Sequence, residues 1–302
     1  MAGFVSPEGQ RLLCLAGASW SFDRAAALLG EFCGLRVCDA TIRRVCREHG
    51  GAARDWQRAA PAVADRFRAA AGDAEVETDG TAVNTTAGWR EMRLTIFAKR
   101  PRGKPGQDPP APAVRVLTAG IRDCGRLGPH WRRQAARLGV TRTADLTVLA
   151  DGAKWIWAQA AACLPGAAGV LDYYHAGERL GQAGRDLFGE TPAAAAWAAG
   201  HRHTLLTAGG GKLLADLAAE GPGREAALDY FRPHAGHLNY PDRRAAGRAI
   251  GSGLVEGACK QVIGRRLKQT GARWRVRRAE RMASLCGLIY GGFWDDYWNQ
   301  AA

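Results

Sequence analysis

Three carboxylates stand where chemistry is plausible: Asp79 in "ETDGT", Asp151 in "LADGA" and Glu256 in "GLVEGACK". Carboxylates brought together repel one another, so such a cluster persists only with a cation among them. Hard oxygen ligands with open positions select Mg²⁺ or Mn²⁺. Two such ions about 4 Å apart activate a water and stabilise the leaving oxygen of a phosphodiester. Each acid also has a plainer reading. A lone Asp-Gly pair is commonly a turn, and Glu256 with Lys260 has the spacing of an ordinary i, i+4 helix pair. Two Asp-Gly pairs, both closing apolar strands, favour a site over two turns. Gly253, Gly257 and Ala258 crowd Glu256, and their small size predicts a helix that approaches the sheet closely.

The elements that must position these acids are legible as changes of period. "AEVETDGTAVNT", "REMRLTIFAKR" and "PAVRVLTAGI" alternate as strands, with the exposed linker "PRGKPGQDPPAPA" between the second and third. A helix is predicted through 126–138, then the apolar strand "DLTVLADGA" ending at Asp151, the helix "KWIWAQAAACL", and a fifth strand in "AGVLDYYHA" ending near Asp172. Three strands in meander, then helix, strand, helix, strand predict a mixed α/β sheet. Residues 181–245 turn helical, with alanine runs and glycine clusters, and read as an insertion. A helix from Ser252 to about Gln269 carries Glu256, and the apolar tail after it is expected to pack back on the sheet.

Ahead of the sheet, residues 7–49 read as three short helices. Ser21 has the type of a capping residue, Gly34 breaks the pattern, and Asp39 is expected to cap "DATIRRVCREHG". Another helix is expected over 53–70. Two helices joined by a glycine-containing turn, the second presenting Arg43, Arg44 and Arg47, describe a helix-turn-helix. Any small helical pair would share much of this pattern.

Charge narrows the partner class. The 302 residues carry a net charge of +13, and 36 of the 42 bases are arginine. Twelve bases and three acids fall within residues 241–281. A basic stripe of this density fits a polyanion, nucleic acid first, and otherwise a solvated face. Lys260, Arg265, Arg266, Lys268 and Arg273 are the candidate backbone contacts, with Trp274 a stacking residue or a core tryptophan. No apolar run is long enough to cross a membrane and no signal-peptide pattern opens the chain, so a cytoplasmic protein is expected. Eight cysteines without a Cys-x-x-Cys pair read as reduced small hydrophobes. The pairs His201/His203 and His234/His237 lack a cysteine or acid to complete a zinc set, and "LTAGGGKLL" lacks the residues of a P-loop.

The segments "CLAGASWSFDRAAALL", "ADGAKWIW", "LDYYHAGERL" and "GSGLVEGACKQVIGRRLKQTGARWRVRRAERM" resemble the ISKra family of bacterial insertion-sequence transposases, distant relatives of the Mutator-like group. The similarity extends from about residue 10 to 298, and the last segment is its most specific part. The resemblance implies an RNase H-like core over 71–180 and 246–302, interrupted by the helical insertion 181–245 and preceded by a helix-turn-helix domain over 1–70. It implies that Asp79, Asp151 and Glu256 form a catalytic triad holding two Mg²⁺ or Mn²⁺ ions. It implies double-stranded DNA as partner, both element terminal repeats and target, with at least two protomers joining two ends. The related families share an acid or cysteine, two residues, then histidine after the fifth strand, and Asp172-Tyr-Tyr-His175 matches this signature. A role at the metals or the scissile phosphate is thereby implied for Asp172 and His175; a structural pair at the sheet edge is the plainer account. Family members often carry a longer N-terminal region with zinc-ligand cysteines, and no Cys-x-x-Cys is present here. A nuclease of the same fold, or a DNA-binding protein that no longer cuts, are the competing readings.

Overall fold

The computed structural model describes residues 5–140, 142 and 145–301. Four helices lead the chain: α1 (Pro7–Ser19), α2 (Phe22–Cys33), α3 (Asp39–Ala59) and α4 (Pro61–Ala69). Gly34 ends α2 with φ of 63°, the left-handed conformation that a side chain would strain. The two expected caps differ from the structure. Ser21 occupies the N-cap of α2 without a side-chain cap bond, and Asp39 is the first helical residue of α3, its carboxylate 2.7 Å from Arg43. The expected break before 53 is also absent, because α3 runs through Gly50 and Gly51 to Ala59 and stops before Pro61. Gly50 is there for closeness: a Cβ on it would lie 2.6 Å from the Arg281 carbonyl oxygen.

The sheet has five strands in the order β3-β2-β1-β4-β5: β1 (Asp73–Thr85), β2 (Gly88–Arg100), β3 (Val114–Gly120), β4 (Leu146–Ala150) and β5 (Ala168–Leu171). β1, β2 and β3 pair antiparallel, while β4 joins β1, and β5 joins β4, in parallel. The chain is therefore a mixed α/β protein, as its alternating pattern predicts. Helices α5 (Leu127–Arg137) and α6 (Lys154–Cys163) accompany β4, and α5 covers the face bearing Thr95 and Thr118. There the buried Trp131 donates to Thr95 and His130 meets Thr118, each at 3.1 Å.

On the other face lie the remaining helices. α7 (Tyr173–Phe188), α8 (Pro192–Thr207), α9 (Gly209–Ala219), α10 (Glu225–Phe231) and α11 (Tyr240–Ala245) gather around a buried cluster of Leu149, Leu180, Leu213, Phe231 and Tyr240. Next come α12 (Gly253–Ala258), a π-helical turn over Cys259–Gly264, and α13 (Arg265–Leu267). The long helix α14 (Val276–Gly291) packs on β3 and α3, and α15 (Trp294–Ala301) closes the described chain. The apolar tail thus returns to the sheet as expected. Residues of α1–α4 belong to the same buried cluster as β1–β3 and α14, so the N-terminal helices share a core with the sheet. Among the described residues no helix is long and apolar enough to cross a membrane.

Candidate active site

β1 carries an acid at every second position: Asp73, Glu75, Glu77 and Asp79. A period of two puts all four on one sheet face. Their partners change along the strand. Asp73 is held by Arg102 at 2.9 and 3.1 Å and by Arg248 at 2.9 Å. Burial works to raise its carboxyl, but these two guanidiniums outweigh it and hold the group low. Glu75 accepts from Arg100 at 2.7 Å, with burial pushing its carboxyl up against that pairing. Glu77 takes the backbone N–H of Val255 at 2.9 Å, and burial with the Glu75 charge pushes it well above the usual range. At the far end Asp79 accepts the N–H of Gly80 at 2.6 Å, with the Cys259 thiol close by, and among the described residues no arginine pairs with it. The arginines that neutralise the row have run out by the time it reaches Asp79.

Asp151 lies beside this unneutralised end. β1 and β4 pair Glu77 with Leu149, and two residues further along each strand stand Asp79 and Asp151. The paired register ends at Glu77 and Leu149, and Asp151 follows just past the end of β4, near enough for its charge to act on Asp79. Asp151 Oδ1 accepts from Ala153 N–H at 3.0 Å, the turn that opens α6. Its carbonyl takes the indole N–H of Trp157 at 2.8 Å, and His237 stacks on that indole at 4.1 Å. Burial pushes the Asp79 carboxyl up, and the charge of Asp151 pushes it further. Burial first, then the charge of Asp79 and more weakly that of Glu256, raise the Cys259 thiol to about 12. Neither Asp79 nor Asp151 has an ion-pair partner among the described residues.

Glu256 arrives on α12, whose first turn packs on β1 through buried Val255 and Ala258. The glycines expected to allow this approach face elsewhere: a Cβ on Gly253 meets nothing within 4 Å, and one on Gly257 only the Tyr290 hydroxyl at 3.7 Å. The helix then widens into the π turn that carries Cys259 against Asp79 and ends at α13 rather than continuing smoothly to Gln269. Instead of pairing with Lys260, Glu256 Oε1 lies 3.5 Å from His175 Nε2. Glu178 holds the other ring nitrogen at 3.1 Å. Burial lowers the imidazole, but the charges of Asp172, Glu178 and Glu256 outweigh it and raise the group on balance.

Asp172 is not available in the same way. It is fully buried, at 0% exposure, with Oδ1 accepting His175 N–H at 2.9 Å and Oδ2 accepting the Ser252 hydroxyl at 2.7 Å and the Ser252 N–H. Both oxygens serve protein donors, so Asp172 here anchors the start of α12 and the first turn of α7.

Asp79 and Asp151 offer hard oxygen donors suited to a divalent cation, and among the described residues neither is ion-paired, although Arg179 and Arg185 line the same pocket as Asp151. The fit is incomplete at the third donor, since among the described residues no three His, Cys, Asp or Glu groups converge to enclose an ion. Glu256 borders the cluster with its carboxylate turned to His175. The histidine pairs set aside as zinc ligands have other partners: His201 meets Glu220 at 2.9 Å, and His234 packs against Trp157 beside His237.

The expected nucleic-acid contacts divide into two sets. Arg43, Arg44 and Arg47 on α3 line a cleft of about 700 Å³ together with Arg273 and Trp274 from the chain after α13. That chain is held in place by β1, with Trp274 N–H donating to Asn84 at 3.0 Å and Thr86 N–H to Trp274 at 2.8 Å. Trp274 is half-buried and its indole N–H is given to Leu267, so it walls the cleft. Arg275, Arg278 and Arg281 extend the basic lining and were not singled out by the sequence. Lys260, Arg265 and Lys268 form the second set, exposed along the π turn and α13, with Lys268 reaching the Thr81 hydroxyl two residues past Asp79. Arg266 also borders the α3 cleft but presents little surface to it. It is 3% exposed, donates to the Gly17 carbonyl at 2.6 Å and lies between the rings of Phe22 and Trp274 at 4.6 and 4.9 Å. Its assignment as a backbone contact is corrected: it is a core residue tying α1 and α2 to α13.

No protein-family model matches the chain, and no curated protein matches it significantly.

Proposed function

We propose that this chain is a divalent-metal-dependent nucleic-acid enzyme of the DDE transposase type, with an RNase H-like core and a helix-turn-helix formed by α2 and α3. The observation that carries the reading is the unneutralised pair Asp79 and Asp151. Arginines compensate Asp73 and Glu75 on the same strand face, yet the two acids nearest the sheet's end have none. A meander of three strands followed by two parallel ones, with acids on the first and after the fourth, supports the RNase H-like assignment. The basic cleft and the exposed bases Lys260, Arg265 and Lys268 support DNA as substrate.

In this reading Asp79 and Asp151 would hold Mg²⁺ or Mn²⁺, with Glu256, now against His175, as the third carboxylate. When bound, such ions would activate a water and stabilise the leaving oxygen. Lys260, Arg265 and Lys268 hold the backbone across the acids, and the α3 arginines hold DNA in the cleft. Water would cleave the P–O bond at an element end to leave a 3′-hydroxyl and a 5′-phosphate, and that 3′-hydroxyl would then attack a target phosphodiester, forming one P–O bond as the target's own 3′-oxygen leaves. Joining two ends requires at least two protomers, and the cytoplasm is where such a substrate lies. The Glu256–His175 contact favours one other reading, a DNA-binding protein that no longer cuts.

DNA bearing the sequences that flank the gene, incubated with Mg²⁺ and wild type or Asp151→Asn, separates these. Cutting and joining by wild type alone is expected. Cutting without joining indicates a nuclease of the same fold, binding without cutting indicates the non-catalytic protein, and equal activity in both proteins removes the acid-cluster mechanism.

A further inference from the structure

The start of α12 is gripped from two sides by acids that do not belong to the triad. From the sheet, Glu77 Oε2 accepts the Val255 N–H at 2.9 Å, one residue before Glu256. From the β5–α7 junction, Asp172 Oδ2 accepts both the N–H and the hydroxyl of Ser252, the residue preceding α12, the hydroxyl at 2.7 Å. Both acids are out of solvent, Glu77 at 1% and Asp172 at 0% exposure, and so is Ser252 at 3%. The other oxygen of Asp172 fixes the first turn of α7 at His175 N–H, the residue whose ring lies 3.5 Å from Glu256. A further bond, Tyr173 N–H to Ile250 at 3.0 Å, ties the same two segments. Gly251 allows the approach, since a Cβ there would meet the Tyr174 ring at 2.8 Å.

We infer that Glu77 and Asp172 act as a two-sided clamp that fixes where Glu256 points relative to Asp79 and Asp151. This rests on the metal-dependent reading above. The Asp-x-x-His signature is then a positioning device: its acid holds the entrance of α12, and its histidine meets the Glu256 carboxylate directly. An ordinary buried hydrogen bond would stabilise the fold wherever it lay. These bonds converge instead on residues 252 and 255, within four residues of the third acid, and come from the strand of the first acid and from the junction following the fifth strand. Such outer partners commonly set metal affinity through the orientation of the ligand they hold.

The test uses the full chain and two readouts, hydrogen exchange of the peptide spanning 252–258 and Mn²⁺ binding followed by electron paramagnetic resonance. Glu77→Leu and Asp172→Ala are expected to speed exchange in that peptide and to weaken Mn²⁺ binding by about 10–100-fold. Glu77→Gln, which keeps an acceptor for Val255 N–H, is expected to restore both. Circular dichroism melts confirm that each variant is folded; should Asp172→Ala fail to fold, Asp172→Asn, which keeps one acceptor oxygen, takes its place with a smaller loss. Wild-type exchange in Glu77→Leu overturns the clamp whatever happens with Mn²⁺. If wild type binds no Mn²⁺, the metal reading fails while exchange still decides the clamp. If Asp172→Asn abolishes cleavage as fully as Asp151→Asn, with exchange and Mn²⁺ affinity unchanged, Asp172 is catalytic and the positioning role is wrong.

Discussion

The acids at the end of β1 and β4 and the arginines of the cleft are held in opposite ways. Asp79, Asp151, Glu77 and Asp172 take backbone N–H donors on strands or first helical turns, so each carboxylate has little freedom left. The cleft arginines stand on helix surfaces and loops: Arg43 pairs with Asp39 at 2.7 Å and lies over the Phe22 ring at 5.6 Å, and Arg44 pairs with Glu48 at 3.1 Å, both acids one turn away. Exposed pairs of that kind contribute little and yield readily to a better anion. The contrast separates two tasks. Chemistry at a phosphorus needs donors fixed to a fraction of an ångström, whereas gripping a polyanion needs charge that adapts to it.

Substitution in the two regions should therefore fail differently. The largest effect is expected for Asp79→Asn and Asp151→Asn. Metal contributions worth several kcal/mol translate to about a thousandfold or more in cleavage rate. Gel-shift affinity for DNA should remain close to wild type, and a loss of binding that matches the loss of cutting would erase the distinction. In the cleft, Arg47→Ala and Arg273→Ala should each weaken binding several-fold and lower the slope of log affinity against log salt by about 1. Arg266→Ala sharpens the comparison because it sits behind the cleft. Removing a buried, doubly stacked guanidinium should cost about 1–3 kcal/mol of stability in a denaturant melt while leaving the salt slope unchanged.

The smallest effect is a pH dependence. Asp79 has a folded-state value raised by burial and by Asp151. Below the ordinary carboxylate value of about 3.9 the group is protonated in both states, and stability falls as pH rises through the raised folded value. Asp79→Asn removes that loss, so it should melt higher than wild type at neutral pH, with the gain vanishing below about pH 4. Added Mg²⁺ should raise the melting temperature of wild type and leave Asp79→Asn unmoved.

Sequence reasoning reached the sheet because its signal is strong there: apolar alternation over β1 to β3 and short apolar runs for β4 and β5. Asp79 and Asp151 were visible as acids followed by glycine at strand ends. Asp73-x-Glu75-x-Glu77-x-Asp79 shows one acidic face at period two, but the role of Glu77 has no local signature because its partner, the Val255 N–H, lies far along the chain. Gly50 and Gly51 misled in the other direction, since propensity reads a glycine pair as a break, while α3 keeps it to cross α14 at Arg281. The burial of Arg266 has no local signature at all. Its neighbours Arg265 and Lys268 are exposed, and only the return of α1 and α2 against α13 encloses it.

The most direct test of the central claim is the position of Mn²⁺ in crystals of the protein, located by its anomalous scattering. A peak bridging Asp79 and Asp151, with the Glu256 carboxylate rotated from His175 toward it, is the predicted result. A fully Mn²⁺-soaked crystal with no peak between those two aspartates would contradict the account.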